Sequence, residues 1–179
     1  MNGIDILDLL ENGYEVVARD YPEDDGFEHI CFGCSPDNPY GMNLVFYGEP
    51  GGNTIVTRYI VRQEYCGFPL FTHGGIIGVL FDELLAYVCY HVAGNFGMTK
   101  SMEIKYKKPV EIGKVHFITG EVVNTEKYKD KGLLASTRGK IYQGTDDSGK
   151  VCATATADLV VLHKEKLKFA YKREKNSKD

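Results

Sequence analysis

The chain has 179 residues, 43% hydrophobic and 26% charged, an ordinary composition for one globular domain with short additions at its ends. A formal net charge of -4 and a pI near 5.8 give no support to generic nucleic-acid binding. The opening, MNGIDILDLLENGYEVV, lacks a basic region followed by a cleavable apolar run, so no signal peptide is read there. Five cysteines, an odd number, read as reduced thiols in a cytoplasmic protein.

Asn2 to Leu10 carries Ile4, Ile6, Leu7 and Leu10, a short amphipathic helix closed by Asn12-Gly13 and expected to pack on the main body. Residues 1–30 are acidic, with Arg19 as their only Lys or Arg. Tyr21 to Pro39 is rich in Pro, Asp and Gly and reads as loop. It contains Cys31-Phe32-Gly33-Cys34. A zinc ion would need two further ligands, and Cys66, Cys89, Cys152 and the histidines offer no second pair at comparable spacing. A redox pair should open a helix, whereas this one runs into Ser35-Pro36-Asp37-Asn38-Pro39. The sequence alone therefore calls for no metal and no cofactor.

Strands are expected over Met42 to Tyr47 and Asn53 to Arg62, joined by the turn Gly48-Glu49-Pro50-Gly51-Gly52. Gly67 to Ala93 then opens with Gly, Pro and paired glycines and continues as about twenty residues, nearly all apolar, around the acidic pair Asp82-Glu83. Length alone would allow a membrane span. Two adjacent carboxylates at mid-span cost roughly 2.5–3.5 kcal/mol each even on insertion scales, and no basic loop flanks them. A core helix is the better reading, with Gly94-Asn95 as its C-terminal cap.

Steps of four from Asp82 reach Gly78, Gly74 and Ala86, so the carboxylate stands in a seam of small residues. Gly74 and Gly75 fall at the helix start, where free N–H groups and the dipole favour an anion or a polarised carbonyl. Eight residues separate Gly74 from Asp82, about 12 Å along the axis. One carbonyl cannot touch both, so if both act, the site must be shared between two chains. A glycine pair that only turns the chain, and an Asp that only pairs with a neighbouring cation, remain open alternatives.

Beyond the helix the pattern is strand. Thr99 to Lys107 alternates, with Met102, Ile104 and Tyr106 on one face. Val115 to Asn124 and Leu133 to Tyr142 form a hairpin around a lysine-rich turn, and Val151 to Val161 alternates with Ala153, Ala155 and Ala157 on one side. Three alanines leave room for something bulky, and the apolar helix is the one candidate. The tail, KEKLKFAYKREKNSKD, is basic and reads as a solvated end. The expected class is α+β, an antiparallel sheet wrapped around one long buried helix. Residues 1–41 form an N-terminal helix and Cys-containing loop, 42–163 the main domain, and 164–179 the tail.

Three stretches resemble the hotdog-fold acyl-CoA thioesterases of the phenylacetate-pathway type. CFGCSPDNPYGMNL (31–44) is similar to the family's common opening. Gly67 to Glu83 is similar to its helix signature, Gly-aromatic-Pro and then His-Gly-Gly with an Asp nine residues after the His. TKSMEIKYKKPVEIG (99–113) is similar to the strand that follows. The resemblance implies a hotdog domain that hydrolyses acyl-CoA, CoA entering as part of the substrate. Asp82 then matches the base or nucleophile, Gly74 the oxyanion-polarising glycine, His73 the signature histidine, and Thr99 the hydroxyl that holds the attacking water. Gly75, Gly67 and Glu83 are the expected neighbours of the substrate, with Glu83 as rival to Asp82. Two positions depart from the family: Leu70 stands where many relatives have glycine, and Gly67 where some carry a catalytic Asn. The implied partners are the acyl-CoA and a second copy, as a homodimer or a homotetramer made of dimers, with neither nucleic acid nor membrane. A non-catalytic acyl-CoA-binding hotdog module is the alternative. A hydratase on the same fold would want a His-Asp or His-Glu pair in a motif that is not found here. No G-x-S-x-G, H-E-x-x-H or Walker-type loop is present, and His29, His91, His116 and His163 are isolated.

Overall fold

Small residues decide where the long helix can lie. In the computed structural model, which describes residues 6–19, 29–128 and 132–162, a helix α2 spans Gly74–Ala93. It crosses a sheet built from β1 (Glu15–Val16), β2 (Tyr47–Gly48), β3 (Thr54–Ile60), β6 (Gly97–Tyr106), β7 (Val115–Tyr128), β8 (Gly132–Gln143) and β9 (Val151–Leu162). The strand order is β1-β2-β3-β7-β8-β9-β6, and every pairing is antiparallel. This is the sheet-and-single-helix architecture that the order of elements predicts, with α2 packed on one face.

One transverse row of the sheet shows why the helix fits. Ile55 pairs with Gly120, Gly120 with Gly139, Gly139 with Ala155, and Ala155 with Ile104. A Cβ on Gly120 would stand 2.8 Å from Leu84 Cγ, and one on Gly139 would stand 3.1 Å from Phe81 Cδ1. The three central strands therefore present backbone and methyl groups where α2 sets down Phe81, Leu84 and Leu85, all buried. Each such side chain contributes about 1.5–3 kcal/mol by leaving water. Ala153, Ala155 and Ala157 are the part of this floor visible in the strand pattern, while Gly120 and Gly139 complete it.

By length and composition α2 could cross a membrane. Here Ile77, Leu80, Phe81, Leu84, Leu85, Tyr87, Val88 and Cys89 are buried in the fold. Gly94 ends it in the left-handed region (φ 63°), its N–H bonding to Tyr90 O at 2.8 Å, as the Gly-Asn pair predicts. On the opposite face of the sheet, helix α1 (Leu7–Glu11) places Leu9 against Tyr47, Val56, Phe117 and Tyr142. Asp8 accepts two hydrogen bonds from Arg58, at 2.6 and 2.5 Å. The N-terminal half of the expected helix, like the lysine-rich turn at 129–131 and the basic tail, lies outside the described residues.

The expected strand over Met42 to Tyr47 is corrected: only Tyr47–Gly48 is regular strand. Met42, Leu44 and Phe46 do alternate inward and are buried. Their backbone is drawn to the cysteine loop instead of the sheet, Met42 N–H bonding to Phe32 O at 2.7 Å and Leu44 N–H to Gly33 O at 2.9 Å. Asn43 between them has φ 53°, which no extended strand accommodates. A hairpin absent from the sequence reading, β4 (Cys66–Phe68) with β5 (Phe71–Thr72), leads into α2.

The floor predicts its own test. Gly120→Ala should lower stability by about 1–3 kcal/mol, the usual range for forcing a methylene into a packed core, because buried Leu84 has to repack. Urea unfolding of the two proteins checks it; an unchanged midpoint would mean that the helix does not rest on this row.

Candidate active site

The start of α2 is fastened from three sides. His73 occupies the N-cap in extended conformation, and its Nδ1 accepts from Gly75 N–H at 2.9 Å, a task that Ser, Asp or Asn usually performs. With Nδ1 accepting, the ring proton belongs on Nε2. His73 carbonyl accepts from Ile76 and Ile77, and its own N–H donates to Tyr65 O at 2.9 Å. Tyr106 Oη on β6 donates to Gly74 O at 3.1 Å. Of the first-turn donors, the Gly74 N–H has no acceptor among the described residues.

Gly67 stands behind this cap. A Cβ there would sit 2.7 Å from His73 Cα, so β4 can back the histidine only with glycine at that position. The turn Pro69-Leu70 joins β4 to β5, and Leu70 has φ 71°. A proline followed by a residue at positive φ is the pattern of a type II turn, whose second central position favours glycine. That is the physical reason the resemblance puts glycine at Leu70.

Two turns along α2 the carboxylates part company. Asp82 faces β6, where Thr99 Oγ1 donates to its Oδ1 at 2.6 Å. Glu83 turns to the cysteine loop, and Cys31 Sγ donates to its Oε1 at 3.0 Å. Glu83 lies so close to the loop that a Cβ on Gly33 would be 2.2 Å from its Cγ. Hence Thr99 and Asp82 meet, while Glu83, expected near substrate, serves the other flank of the helix. Gly74 and Gly78 continue the seam above Tyr106 and Ile104 of β6.

Of the isolated histidines, His91 Nε2 meets Glu49 O at 2.9 Å and buried His116 Nδ1 meets Lys114 O at 3.1 Å, both structural positions. His29 Nε2 lies 3.7 Å from Cys34 Sγ. Burial first, and Glu83 second, push the Cys34 thiol up to about 12. His163 lies outside the described residues. Among the described residues, one concavity on the sheet is lined by Arg58, Thr119 and Lys140 and another by Glu103, Arg138 and Thr156, and neither includes Asp82.

Residues 71–129 match the family model described as the thioesterase superfamily, a segment running from β5 through α2 and β6 into β7 and holding His73, Gly74, Asp82 and Thr99. The chain carries the hotdog fold of the thioesterase structures it resembles. Zebra fish thioesterase superfamily member 2 is 20% identical with a TM-score of 0.56, over 70% of this chain and 88% of that one. A hypothetical thioesterase from Streptococcus pneumoniae, solved with coenzyme A, is 22% identical with a TM-score of 0.54, over 63% of this chain and 84% of that one. Among curated proteins, FMP10 of Saccharomyces cerevisiae, an uncharacterized mitochondrial membrane protein, is 24% identical over 75% of this chain. The chain covers 54% of that relative, about half its length.

Within this hotdog domain, sequence reasoning missed Tyr106 as the clamp on the helix start and the contact of Glu83 with Cys31. The first was open to discovery, since Tyr106 shares the inward face of its strand with Met102 and Ile104. The second joins residues 52 apart, and no local pattern signals it. Leu70 supplies a test. Holding an L-residue in the left-handed region costs roughly 1–2 kcal/mol. Glycine returns about 0.4–1 kcal/mol of that through its freer unfolded chain, so Leu70→Gly should gain on the order of 0.5–1 kcal/mol. A lower melting temperature in Leu70→Gly would contradict this turn geometry.

Proposed function

We propose that this chain hydrolyses acyl-CoA thioesters to the free acid and CoA, at sites shared across a homodimer. Asp82 acts as base on water or as nucleophile, and the Gly74 N–H is the oxyanion donor. The observation that carries the reading is the 2.6 Å bond from Thr99 to Asp82 at the open edge of the sheet. That bond holds one carboxylate oxygen and leaves Oδ2 for the reacting group. In the water route, Oδ2 takes a proton as water oxygen bonds to the carbonyl carbon. Charge gathers on the carbonyl oxygen and then returns to break the C–S bond, and the departing thiolate is protonated to CoA.

The oxyanion needs a preorganised donor, since removing one typically costs about 10²–10³ in kcat. Gly74 N–H, at the positive end of a twenty-residue helix, has the right chemistry and lacks a Cβ that would hinder approach. It lies about 12 Å from Asp82 of its own chain, too far for a single carbonyl. A second copy resolves this. β6 is a ten-residue edge strand bonded only to β9 among the described residues, and most of it is exposed. A long open edge is a template for pairing with its own copy, and antiparallel pairing of β6 with β6 obeys two-fold symmetry. It would set the two α2 helices side by side in opposite directions, bringing the middle of one toward the start of the other. The half-buried flank Gly78, Val79, Asp82 and Ala86 would then be covered. The coenzyme A held by the streptococcal neighbour supports CoA as the thiol half of the substrate.

Thiol release from a panel of acyl-CoAs tests the activity. Asp82→Asn should lower kcat by about 10²–10⁴, the usual worth of a positioned base. Glu83→Gln should fall far less, which distinguishes the two carboxylates. Release from no acyl-CoA by the wild-type chain would favour a binding module, and full turnover in Asp82→Asn would remove the assigned base.

Sharing of the site has a separate test. Gly74→Pro deletes the amide hydrogen at the first helical position, where proline is tolerated, and extended His73 suits a following proline. Each variant alone should be nearly inactive. Random reassortment of Gly74→Pro with Asp82→Asn chains should restore about one quarter of wild-type activity, because half the dimers are mixed and each mixed dimer keeps one intact site. Sites contained within one chain would show no restoration.

A further inference from the structure

The C-x-x-C loop, which the activity does not use, gains in three dimensions the ligands it lacks in sequence. Cys31 Sγ, Cys34 Sγ and a Glu83 carboxylate oxygen all lie within 4.8 Å of one another. His29 Nε2 stands at the rim of this group, 3.7 Å from Cys34 Sγ. A tetrahedral zinc ion, with bonds of about 2.3 Å to sulfur and 2.0–2.1 Å to nitrogen or oxygen, has ligand–ligand edges of about 3.3–3.8 Å. The His29–Cys34 separation already falls in that range. The 3.0 Å contact from Cys31 to Glu83 needs only a small opening.

The electrostatics point the same way. Glu83 Oε2 is buried with no hydrogen-bond partner, and Glu83 takes part in no salt bridge among the described residues. A buried carboxylate oxygen without a hydrogen bond or ion pair is costly, and the groups set closest to it are two thiols, with an imidazole at the rim. Those are ligand types of zinc. The loop is already folded around its first sulfur: Gly33 N–H donates to Cys31 Sγ at 3.3 Å, and Ser35 N–H bonds back to Cys31 O at 3.2 Å. A Cys31–Cys34 disulfide would use the two sulfurs and leave the carboxylate unpaired; a dication satisfies both.

We infer that His29, Cys31, Cys34 and Glu83 form a zinc site that fastens the N-terminal loop to the flank of α2 opposite Asp82. Both thiols give their protons to solvent as the ion binds. The ion would be structural: all four positions for ligands come from the protein, and Asp82 is turned to β6.

The inference is independent of catalysis, and so is its test. The full chain, purified without chelator, should contain one zinc per chain by elemental analysis. Cobalt chloride added to the metal-free chain should give the charge-transfer band of thiolate-bound cobalt together with the visible bands of tetrahedral coordination. Loss of even an outer partner of a metal ligand costs about 10–100-fold in affinity, so Glu83→Gln should weaken zinc binding by at least about 10-fold. Cys31→Ser with Cys34→Ser should abolish the thiolate band, and Cys66→Ser, on β4 outside the cluster, should leave binding unchanged. Sub-stoichiometric zinc with a thiolate-free cobalt spectrum would overturn the inference. A Cys31–Cys34 disulfide in chains prepared without oxygen would also overturn it, in favour of a redox pair. Both decisive readings come from the wild-type chain, so a variant that fails to fold does not rescue the idea.

Discussion

The structure depends on a contact from which side chains have been removed. Where α2 crosses the sheet, Gly120, Gly139 and Ala155 lie in one row, and Phe81 and Leu84 fill the space that larger residues would have taken. Helix-to-sheet distance is set by what projects between them, and packed interiors tolerate neither gaps nor overlap. Because the helix sits low, its flank can reach the edge strand. Asp82 bonds Thr99, Gly74 carbonyl accepts from Tyr106, and Gly78 rests over Ile104. The contacts between α2 and β6 are thus a consequence of the core, made by the two elements that the small residues bring together.

The same helix sends two adjacent acids into unlike surroundings. A rotation of about 100° separates neighbouring positions on a helix, so Asp82 points to the edge strand and Glu83 into the cysteine loop. Adjacent carboxylates in an apolar segment are expensive to bury. This fold divides that expense, one acid held by a hydroxyl at the open edge and the other among thiols. The N-terminal loop is part of this division. It bonds to Met42 and Leu44 on one side and meets Glu83 on the other, which makes the loop and the helix flank one packed unit.

Residues 31–44 show how tertiary bonding overrides local pattern. Met42, Leu44 and Phe46 keep the inward alternation of a strand, so reading the sequence for burial succeeds there. Reading it for hydrogen bonding fails, because the loop's own carbonyls at Phe32 and Gly33 accept the amides that a sheet neighbour would have taken. Leu70 is the converse. Its departure from glycine was visible in sequence, but its meaning follows only from φ 71° in the turn ahead of His73.

The amino-acid sequence by itself determined the elements with strong periodicity: the long apolar helix with its glycine start and stop, the alternating strands after it, and the spacing of His73, Gly74 and Asp82. These are local properties, fixed by 3.6- and 2-residue repeats and by backbone freedom at glycine. Through the family resemblance it also implied Asp82 as base or nucleophile and Thr99 as the hydroxyl that holds water, without indicating that the two side chains bond to each other. Only the tertiary structure decided which glycines floor the helix, which acid faces which flank, and what completes the cysteine cluster. Those facts join residues from distant parts of the chain, such as Gly120 with Leu84 and Cys31 with Glu83. No local repeat encodes such a meeting, because it is set by strand register and helix rotation once the whole core has closed.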